Sequence, residues 1–290
     1  QGPLINIDPR NIQAITILKD APAAALYGAK ASNGVILVKT KTAQVGKTEF
    51  DVAGHFGTVF MNKKLSVVQN PEYFKPYLLE QMYDNGNFLF EDYFIEDPSF
   101  QDYYRYNKST DWQDYIFEPG STAGANVNVR GGDAIAKYFF SVGYLHDEGS
   151  VKNTSYDRFN ARFNADVDMK EWLNVQVRMG IAYSQSQLKQ QGLNYANPVL
   201  NSLIKAPFLH PFIIDSNDIE LPVTEDADLL GISNPYEVIN SSELSLNSYN
   251  FIGSLNFKFK ISDNLEANLM GGSELNKINE FAFFPKYGFY

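Results

Sequence analysis

Cysteine is absent from the 290 residues, which excludes disulfides, thiolate metal sites and cysteine nucleophiles. Basic residues are in the minority, with 24 Lys+Arg against 34 Asp+Glu and a net charge of -10. This balance argues against a nucleic-acid partner, because phosphate binding requires clustered cations. No apolar run approaches the roughly 20 residues of a membrane-spanning helix. A helical membrane protein is therefore excluded, although a β-barrel is not, since its strands alternate.

Motifs for catalysis and metal binding are also missing. The three histidines (His55, His146 and His210) lack partners at metal-ligand spacing, and no H-E-x-x-H sequence occurs. Neither the phosphate-binding G-x-x-x-x-G-K-[ST] pattern nor the hydrolase G-x-S-x-G pattern is present. Carboxylate pairs such as Asp111 with Asp114, or Glu91 with Asp102, could act as the two catalytic carboxyl groups of a glycosidase. Nothing in the sequence selects one pair over another. We expect no metal, no cofactor and no catalytic residue.

The first 45 residues differ from the rest of the chain. The β-branched segment 12–17 predicts a strand, and Asp20 with Pro22 predicts the start of a helix that Gly28 ends. The apolar run 35–38 predicts a second strand that is buried on both faces. Together these segments predict a small β-α-β unit.

From about residue 47 onward the hydrophobic pattern has a period of two. The clearest example is the segment 159–168, where Phe159 and Phe163 share one face while Asn160 and Asn164 share the other. The same alternation predicts seven strands. They cover residues 48–60, 124–131, 136–146, 159–167, 173–183, 247–261 and 265–275.

The connections between these strands alternate between short and long. Three tight turns lie at 131–133, 169–171 and 262–264, whereas the other connections are longer, two of them by far. In an up-and-down meander this places every tight turn at one end and every long loop at the other, which is typical of outer-membrane barrels. A soluble β-sandwich, with its apolar face inward, also fits the alternation and stays open at this point.

The long loops are unusually aromatic and acidic. Residues 71–120 contain 15 aromatic residues and 11 carboxylates but only three basic residues. Asn70-Pro71 predicts a helix over 71–83, and five prolines in 186–246 predict an irregular path. The aromatic side chains form either a surface for sugars, peptides or a partner protein, or a core for the loop itself. The candidate ligand or partner contacts are Tyr93, Tyr103, Tyr104, Tyr106 and Trp112.

Residues 7–41 resemble the end of the plug domain of TonB-dependent outer-membrane transporters of the SusC/RagA family. The resemblance rests on Leu18-Lys19-Asp20-Ala21, on Leu26-Tyr27-Gly28 and on Asn33-Gly34-Val35-Ile36. Thr16 and Lys30 depart from the residues that this family commonly has there. Weaker similarity continues downstream, strongest over 111–183.

The resemblance implies a mainly β fold: a transmembrane antiparallel β-barrel of about 22 strands with a small α/β plug. Residues 1–45 would be the C-terminal part of the plug domain. Residues 46–290 would be the first barrel strands with their long extracellular loops. Because seven strands of this kind cannot close a barrel in lipid, we expect the chain to be part of a larger protein. The plug turn is expected to depend on Lys19, Asp20, Tyr27, Gly28, Asn33 and Gly34, with positive φ at Gly28 and Gly34.

The implied function is TonB-dependent import of oligosaccharides or peptides across the bacterial outer membrane by a multi-pass β-barrel in contact with outer-membrane lipid. A SusD-like surface lipoprotein would capture ligand together with the long loops. TonB and its inner-membrane energising complex would remodel the plug that gates the barrel. Two alternatives remain: a glycan-binding β module without transport, and a secreted glycosidase that uses loop carboxylates.

Overall fold

The computed structural model describes residues 9–19, 28, 31, 33–42, 45–84, 91–100, 102–192, 195–228 and 230–289. Within these residues the chain is mainly β. Two strands near the N-terminus, β1 (Ile12–Leu18) and β2 (Val35–Thr40), pair antiparallel and are called here the N-terminal strand pair. A short 3-10 turn over Pro9–Asn11 precedes β1.

A seven-stranded antiparallel sheet forms most of the described structure. Its strands lie in the order β3-β4-β5-β6-β7-β10-β11, so each strand pairs with its neighbour in the chain, apart from the excursion between β7 and β10. The strands are β3 (Gly46–Val59), β4 (Gly120–Gly132), β5 (Ala136–Glu148), β6 (Ser155–Lys170), β7 (Leu173–Leu188), β10 (Glu243–Ser262) and β11 (Leu265–Phe283). The predicted seven-stranded meander is therefore confirmed.

Three short turns join β4 to β5, β6 to β7 and β10 to β11 at one end of the sheet, the short-turn end. The first shows why such turns form. The Asp133 carboxylate accepts hydrogen bonds from the backbone N–H groups of Ile135 and Ala136, both at 2.8 Å. Gly132 has φ +149°, and a Cβ there would collide with the Ala136 carbonyl oxygen. Glycine and aspartate therefore allow the chain to reverse within three residues.

The opposite end of the sheet, the long-loop end, carries three connections. The connection between β3 and β4 contains the helices α1 (Pro71–Asp84) and α2 (Trp112–Ile116). The connection between β7 and β10 contains the helices α3 (Pro198–Ile204) and α4 (Pro235–Ser241). Between these two helices lies a hairpin of β8 (Phe212–Ile214) and β9 (Glu220–Thr224). A 3-10 turn spans Glu91–Phe94. The predicted helix over 71–83 is confirmed by α1. Among the described residues, no helix is both long and apolar enough to cross a membrane.

The long loops pack into a core of their own. Its buried members are Tyr93, Trp112, Ala206, Phe208 and Leu209. The short helices around this core begin with an asparagine or aspartate cap. Asn197 accepts from the N–H groups of Val199 and Leu200, and Asn234 accepts from that of Tyr236.

The apolar run at 35–38 was predicted to be buried on both faces, and this prediction was wrong. Ile36 and Leu37 are 55% and 43% exposed. Within the described residues β2 pairs only with β1, and Val38 lines a cavity beside the seven-stranded sheet. A continuous apolar run indicates that a strand avoids water, but it does not identify what covers the strand. The predicted helix that begins at Asp20 lies outside the described residues.

Candidate functional site

In its central strands the seven-stranded sheet is buried on its polar face and open on its apolar face, whereas every residue of β11 is exposed. Phe159 and Phe163, on the apolar face, are 41% and 40% exposed, whereas Asn164, on the polar face of the same strand, is 1% exposed. We call these the outer face and the inner face. A soluble sheet normally buries its apolar face, so this arrangement is inverted with respect to a sandwich.

The register arranges the outer face in rows across the strands. One row near the long-loop end is aromatic, because Tyr144 pairs with Phe159, Phe159 with Tyr183, and Tyr183 with Tyr249. Apolar side chains fill the rows below it, down to Leu173 near the short-turn end. At that end Trp172 stacks on Phe259 with ring centroids 6.3 Å apart.

The aromatic row that contains Tyr183 and the Trp172–Phe259 pair at the short-turn end are separated by about the thickness of the apolar layer of a membrane. Tyr183 and Leu173 are ten residues apart on β7. At about 3.4 Å per residue and a tilt of about 40°, that separation corresponds to roughly 26 Å. The apolar band of an outer-membrane barrel is about 25 Å tall and is flanked by aromatic girdles. The outer face therefore has the composition and height of a lipid-facing surface.

The inner face is polar and only partly satisfied by protein groups. Within the described chain, the side-chain oxygens of Asn128, Asn164 and Ser184 are buried and have no hydrogen-bond partner. A buried polar atom without any hydrogen-bond partner lowers the stability of the folded chain by about 1–3 kcal/mol, so such atoms are normally hydrogen-bonded to water. The inner face is thus suited to an aqueous channel.

The residues that flank the N-terminal strand pair contact this inner face through polar groups. Ser141 Oγ on β5 donates to Asn11 Oδ1 at 3.0 Å, and Asn164 Nδ2 on β6 donates to the Lys41 carbonyl at 3.0 Å. Arg10 Nη2 lies 2.8 Å from His55 Nδ1 on β3. The described contact between the strand pair and the sheet is therefore largely hydrogen-bonded.

A cavity of about 240 Å³ separates the strand pair from the wall formed by β6, β7, β10 and β11. Arg162 on β6 pairs with Gly180 on β7, and its guanidinium lies where a side chain at Gly180 would be, 3.3 Å from the ideal Cβ position. The row continues through Ile252 to Glu274, which lines the same cavity. Arg162 is half-buried, so its guanidinium requires water or an acceptor in the cavity.

Ion pairs tie the two longest loops to each other. Arg105 donates to both carboxylate oxygens of Glu225, from Nε at 2.6 Å and from Nη2 at 2.7 Å, and this pairing raises the pKa of Arg105. Lys108 pairs with Asp218 in the β8–β9 hairpin. Bidentate arginine–carboxylate contacts are among the stronger and more directional ion pairs. The loops therefore form one assembly rather than two independent segments.

The five aromatic residues predicted as ligand or partner contacts lie in different surroundings. Tyr93 and Trp112 are buried in the loop core, where Trp112 Nε1 donates to the Ala206 carbonyl at 3.0 Å. Tyr106 packs against that core, with its ring centroid 4.9 Å from that of Tyr93. Tyr103 and Tyr104 form an edge-to-face pair at 5.1 Å and are half-buried. Tyr103, Tyr104 and Tyr106 therefore combine a supported ring with partial exposure, and of these three only Tyr106 belongs to the packing around the loop core.

The residues predicted to hold the plug turn are partly described. Gly28 has φ +71° and Gly34 has φ +96°, so the predicted positive φ at both positions is confirmed. Lys19 and Asn33 are exposed. Asp20 and Tyr27 lie outside the described residues.

Replacement of Gly34 by valine is expected to destabilise the N-terminal strand pair. A left-handed conformation costs a residue with a Cβ about 1–2 kcal/mol, and the new Cβ would also lie 3.0 Å from the Leu18 carbonyl oxygen. Gly28→Val should have a smaller effect, because no atom of the described residues lies within 4 Å of its Cβ position. The rate of limited proteolysis in the strand pair measures the destabilisation caused by each of the two substitutions. Gly46→Val is the control, with open space and no positive φ, and equal proteolysis of Gly34→Val and this control would contradict the prediction.

The loop assembly is expected to open more readily as pH falls below about 6.5. Burial lowers the pKa of His210, and Lys108 acts in the same direction, while Glu220 and Glu225 oppose it. His210 therefore binds a proton more readily in the opened loops than in the folded ones. The stability that its burial provides above its unfolded pKa is lost as the pH falls below that value. Protease cleavage of the loops at pH 7.5 and 5.5 measures this. His210→Asn, which keeps an acceptor for the Phe212 N–H, should show a weaker pH dependence, and an unchanged dependence would contradict the assignment.

Sequence reasoning did not predict that Arg162 lines a cavity, that Arg105 pairs with Glu225, or that Lys205 and Asp228 form a buried ion pair. Arg105 and Glu225 are 120 residues apart, so no local signal connects them. Within the described ranges, no group of three or more histidines and carboxylates is arranged to hold a metal ion.

Comparison with known proteins gives relatives of one kind. No family model matches the chain. TonB-dependent receptor P3 of Formosa agariphila is 27% identical over 280 residues, which cover 94% of this chain and 26% of that protein. TonB-dependent receptor SusC of Bacteroides thetaiotaomicron is 33% identical over 159 residues, 54% of this chain and 14% of that protein.

Solved structures share the fold. The RagAB peptide importer in its closed-closed state superposes with a TM-score of 0.75 at 17% identity, covering 98% of this chain and 34% of that chain. Its open-open state gives a TM-score of 0.72 at 18% identity, covering 94% and 32%. The chain thus spans about a quarter of the first curated relative and a third of each structural one. These relatives are named as receptors and importers, not as enzymes. The chain is therefore SusC/RagA-like: it is similar in sequence to TonB-dependent receptors and similar in fold to the RagAB importer.

Proposed function

We propose that this chain is part of a transporter that imports oligosaccharides or peptides across the bacterial outer membrane in a TonB-dependent manner. Residues 1–45 are the C-terminal part of the plug, and residues 46–290 are the first barrel strands with their extracellular loops. The observation that carries the proposal is the inverted sheet. Its apolar face is exposed over a height suited to lipid, and its polar face is hydrogen-bonded at β5 and β6 to the residues that flank the N-terminal strand pair.

The contact between strand pair and wall suits a plug that must move. Each hydrogen bond, such as Ser141 to Asn11 or Asn164 to Lys41, contributes only about 0.5–1.5 kcal/mol, because water replaces the protein partner after separation. Separation of a polar contact therefore costs less than separation of an apolar one of equal area. Force from TonB and its inner-membrane energising complex would then remodel the plug and open a path along the inner face.

Ligand capture is assigned to the loop assembly at the long-loop end, together with a SusD-like lipoprotein. The structural relative named RagAB is a peptide importer, which supports a two-protein arrangement and peptide as one of the two ligand classes. Tyr103 and Tyr104 are the strongest contact candidates, since packed rings give contact area at low entropic cost. Alanine at both positions should weaken ligand binding by the purified complex, whereas alanine at the exposed Tyr73 should not.

Neither alternative function gains support from the described residues. A soluble glycan-binding sheet would cover its apolar face, and here that face is exposed. For a glycosidase, Asp111 and Asp114 would need to be free, but Lys64 pairs with both, and Asp111 also caps α2. Asp102 is 3.7 Å from Arg105.

Membrane fractionation tests the proposal. The full-length receptor that contains this chain, expressed in a bacterial host, should fractionate with the outer membrane and migrate faster on a gel without heating than after heating, as folded barrels do. A soluble monomer whose migration does not depend on heating would overturn the proposal. Glycan hydrolysis that is lost on changing Asp111 or Asp114 would favour the glycosidase.

A further inference from the structure

Two adjoining apolar cavities lie on the outer face, across the strands β7, β10 and β11. The upper cavity, of about 480 Å³, lies at the level of the aromatic row and is bounded by Tyr183, Tyr249 and Lys277. The lower cavity, of about 360 Å³, lies toward the middle of the band between Met179 and Leu255. Phe251 lines both, so the two form one groove that runs from the aromatic row toward the centre of the band.

The groove exists because small residues interrupt the large side chains of the outer face. Met179 pairs with Gly253, and Gly253 pairs with Ser273. In the next row Leu255 pairs with Gly271. The Phe251 ring packs over Gly253, with its Cζ 3.0 Å from the position that a Cβ would take there. Since residues of neighbouring rows lie side by side, Ser273 and Gly271 form the open floor beside this ring.

A cation stands at the upper end of this groove. Lys277 pairs with Tyr249 and so continues the aromatic row, where the Tyr183 and Tyr249 rings are 4.9 Å apart. Among the described residues Lys277 has no ion-pair or hydrogen-bond partner. The outer-face positions from this row down to the row of Val175 carry no other charge. An isolated cation at this level attracts the anionic groups of lipids.

We propose that this groove binds one phosphate-bearing lipid of the outer leaflet. Lys277 contacts the lipid phosphate, the hydroxyl groups of Tyr183 and Tyr249 lie at the headgroup level, and one acyl chain lies over Gly271 and Ser273, beside the Phe251 ring. The occupant follows from charge complementarity above and from the uncharged, mostly apolar lining below. The assignment rests on the proposed function, because it requires the outer face to contact a bilayer.

Native mass spectrometry of the full-length receptor, purified in detergent, tests this site with three probes. Dioleoylphosphatidylglycerol supplies chains and phosphate, dioleoylglycerol supplies the same chains alone, and inorganic phosphate supplies the anion alone. The wild-type protein should bind phosphatidylglycerol most tightly. Lys277→Gln should weaken that binding about fivefold, to the level of dioleoylglycerol. Lys258→Gln, the same change on the inner face, should leave it unaltered.

A second variant tests the acyl-chain part of the groove. Gly271→Leu fills the floor, and no atom lies within 4 Å of the new Cβ, so the sheet should fold normally. It should weaken the binding of both diacyl probes while heat-dependent migration stays that of the wild type.

Equal phosphatidylglycerol binding by the wild-type and Lys277→Gln proteins would overturn the lipid site. Displacement of phosphatidylglycerol by millimolar inorganic phosphate would also overturn it. A dimer that Gly271→Leu dissociates would overturn it as well, since the groove would then be a contact between copies of the chain. Failure of the proposed function would appear separately, as a wild-type protein that is absent from the outer-membrane fraction.

Discussion

A Val177→Arg protein is expected to lose the ability to assemble in the outer membrane, while Gln176→Arg, one residue away on the same strand, is tolerated. Val177 lies on the outer face near the middle of the apolar band, and its row continues to Leu255 on β10. Gln176 lies on the inner face, where its amide donates to Asp166 at 3.0 Å. The two variants add the same charge to opposite faces of one strand.

The expected difference follows from the solvent on each face. An arginine that faces lipid near the bilayer midplane costs about 2–4 kcal/mol. An arginine on the inner face stays next to water and gains a carboxylate neighbour in Asp166, so its cost is small. A penalty of this size is a large part of the stability of a folded chain.

Urea unfolding from lipid vesicles measures the free energy of unfolding of both variants, and heat-dependent migration reports assembly in cells. Val177→Arg should unfold at lower urea than Gln176→Arg, with a lower yield of the folded form. If Gln176→Arg is the more damaging variant, then the apolar face is the covered one and the transport proposal fails.

An Asp228→Asn protein is expected to lose the order of the loop assembly. Lys205 and Asp228 form a buried ion pair at 2.9 Å, with side chains 1% and 3% exposed. Burial lowers the pKa of Lys205, and Asp228 opposes this shift. Lys205 also donates to the Ile232 carbonyl at 2.8 Å and lies over the Trp112 ring, so it connects α3, α2 and the segment before α4.

Removal of one partner leaves an uncompensated buried charge, which costs about 3–5 kcal/mol. Asparagine keeps an amide oxygen that can accept from the backbone N–H groups of Leu230 and Ile232, as Asp228 Oδ1 does now, so the turn is preserved while the charge is lost. The variant therefore isolates the ion pair from the local backbone.

Protease cleavage of the loops and the thermal transition of the loop assembly measure the effect. Asp263→Asn is the matched control, because Asp263 and Lys260 also pair at 2.9 Å but are 94% and 52% exposed. Exposed pairs contribute about 0–1 kcal/mol, so this control should resemble the wild type. Equal protease sensitivity of the two variants would show that the buried pair does not hold the loops together.

The strands and turns were predictable because their signals are local. Alternation along 159–168 identifies a strand and both of its faces, and a tight turn such as Gly132-Asp133 identifies the strand ends. Asn70-Pro71 correctly predicted α1. The same Asn-Pro signal at Asn197-Pro198 and Asn234-Pro235 precedes α3 and α4 and was available but not used.

The loop core could not be predicted in the same way. Trp112 contacts Ala206 across 94 residues, and Arg105 contacts Glu225 across 120 residues. An aromatic ring in a loop has the same sequence signature whether it packs inward, as Tyr93 does, or stays half-exposed, as Tyr104 does. Only the path of the chain separates the two cases.

Local pattern alone established a seven-stranded meander with two chemically distinct faces and short turns at one end, since each depends on neighbours within a few residues. The tertiary structure decided which face is covered, how the N-terminal strand pair meets the inner wall, and which loop residues form a core. These features depend on contacts between distant segments, where the free energy of burial is set by what lies opposite a residue and not by what precedes it in the chain.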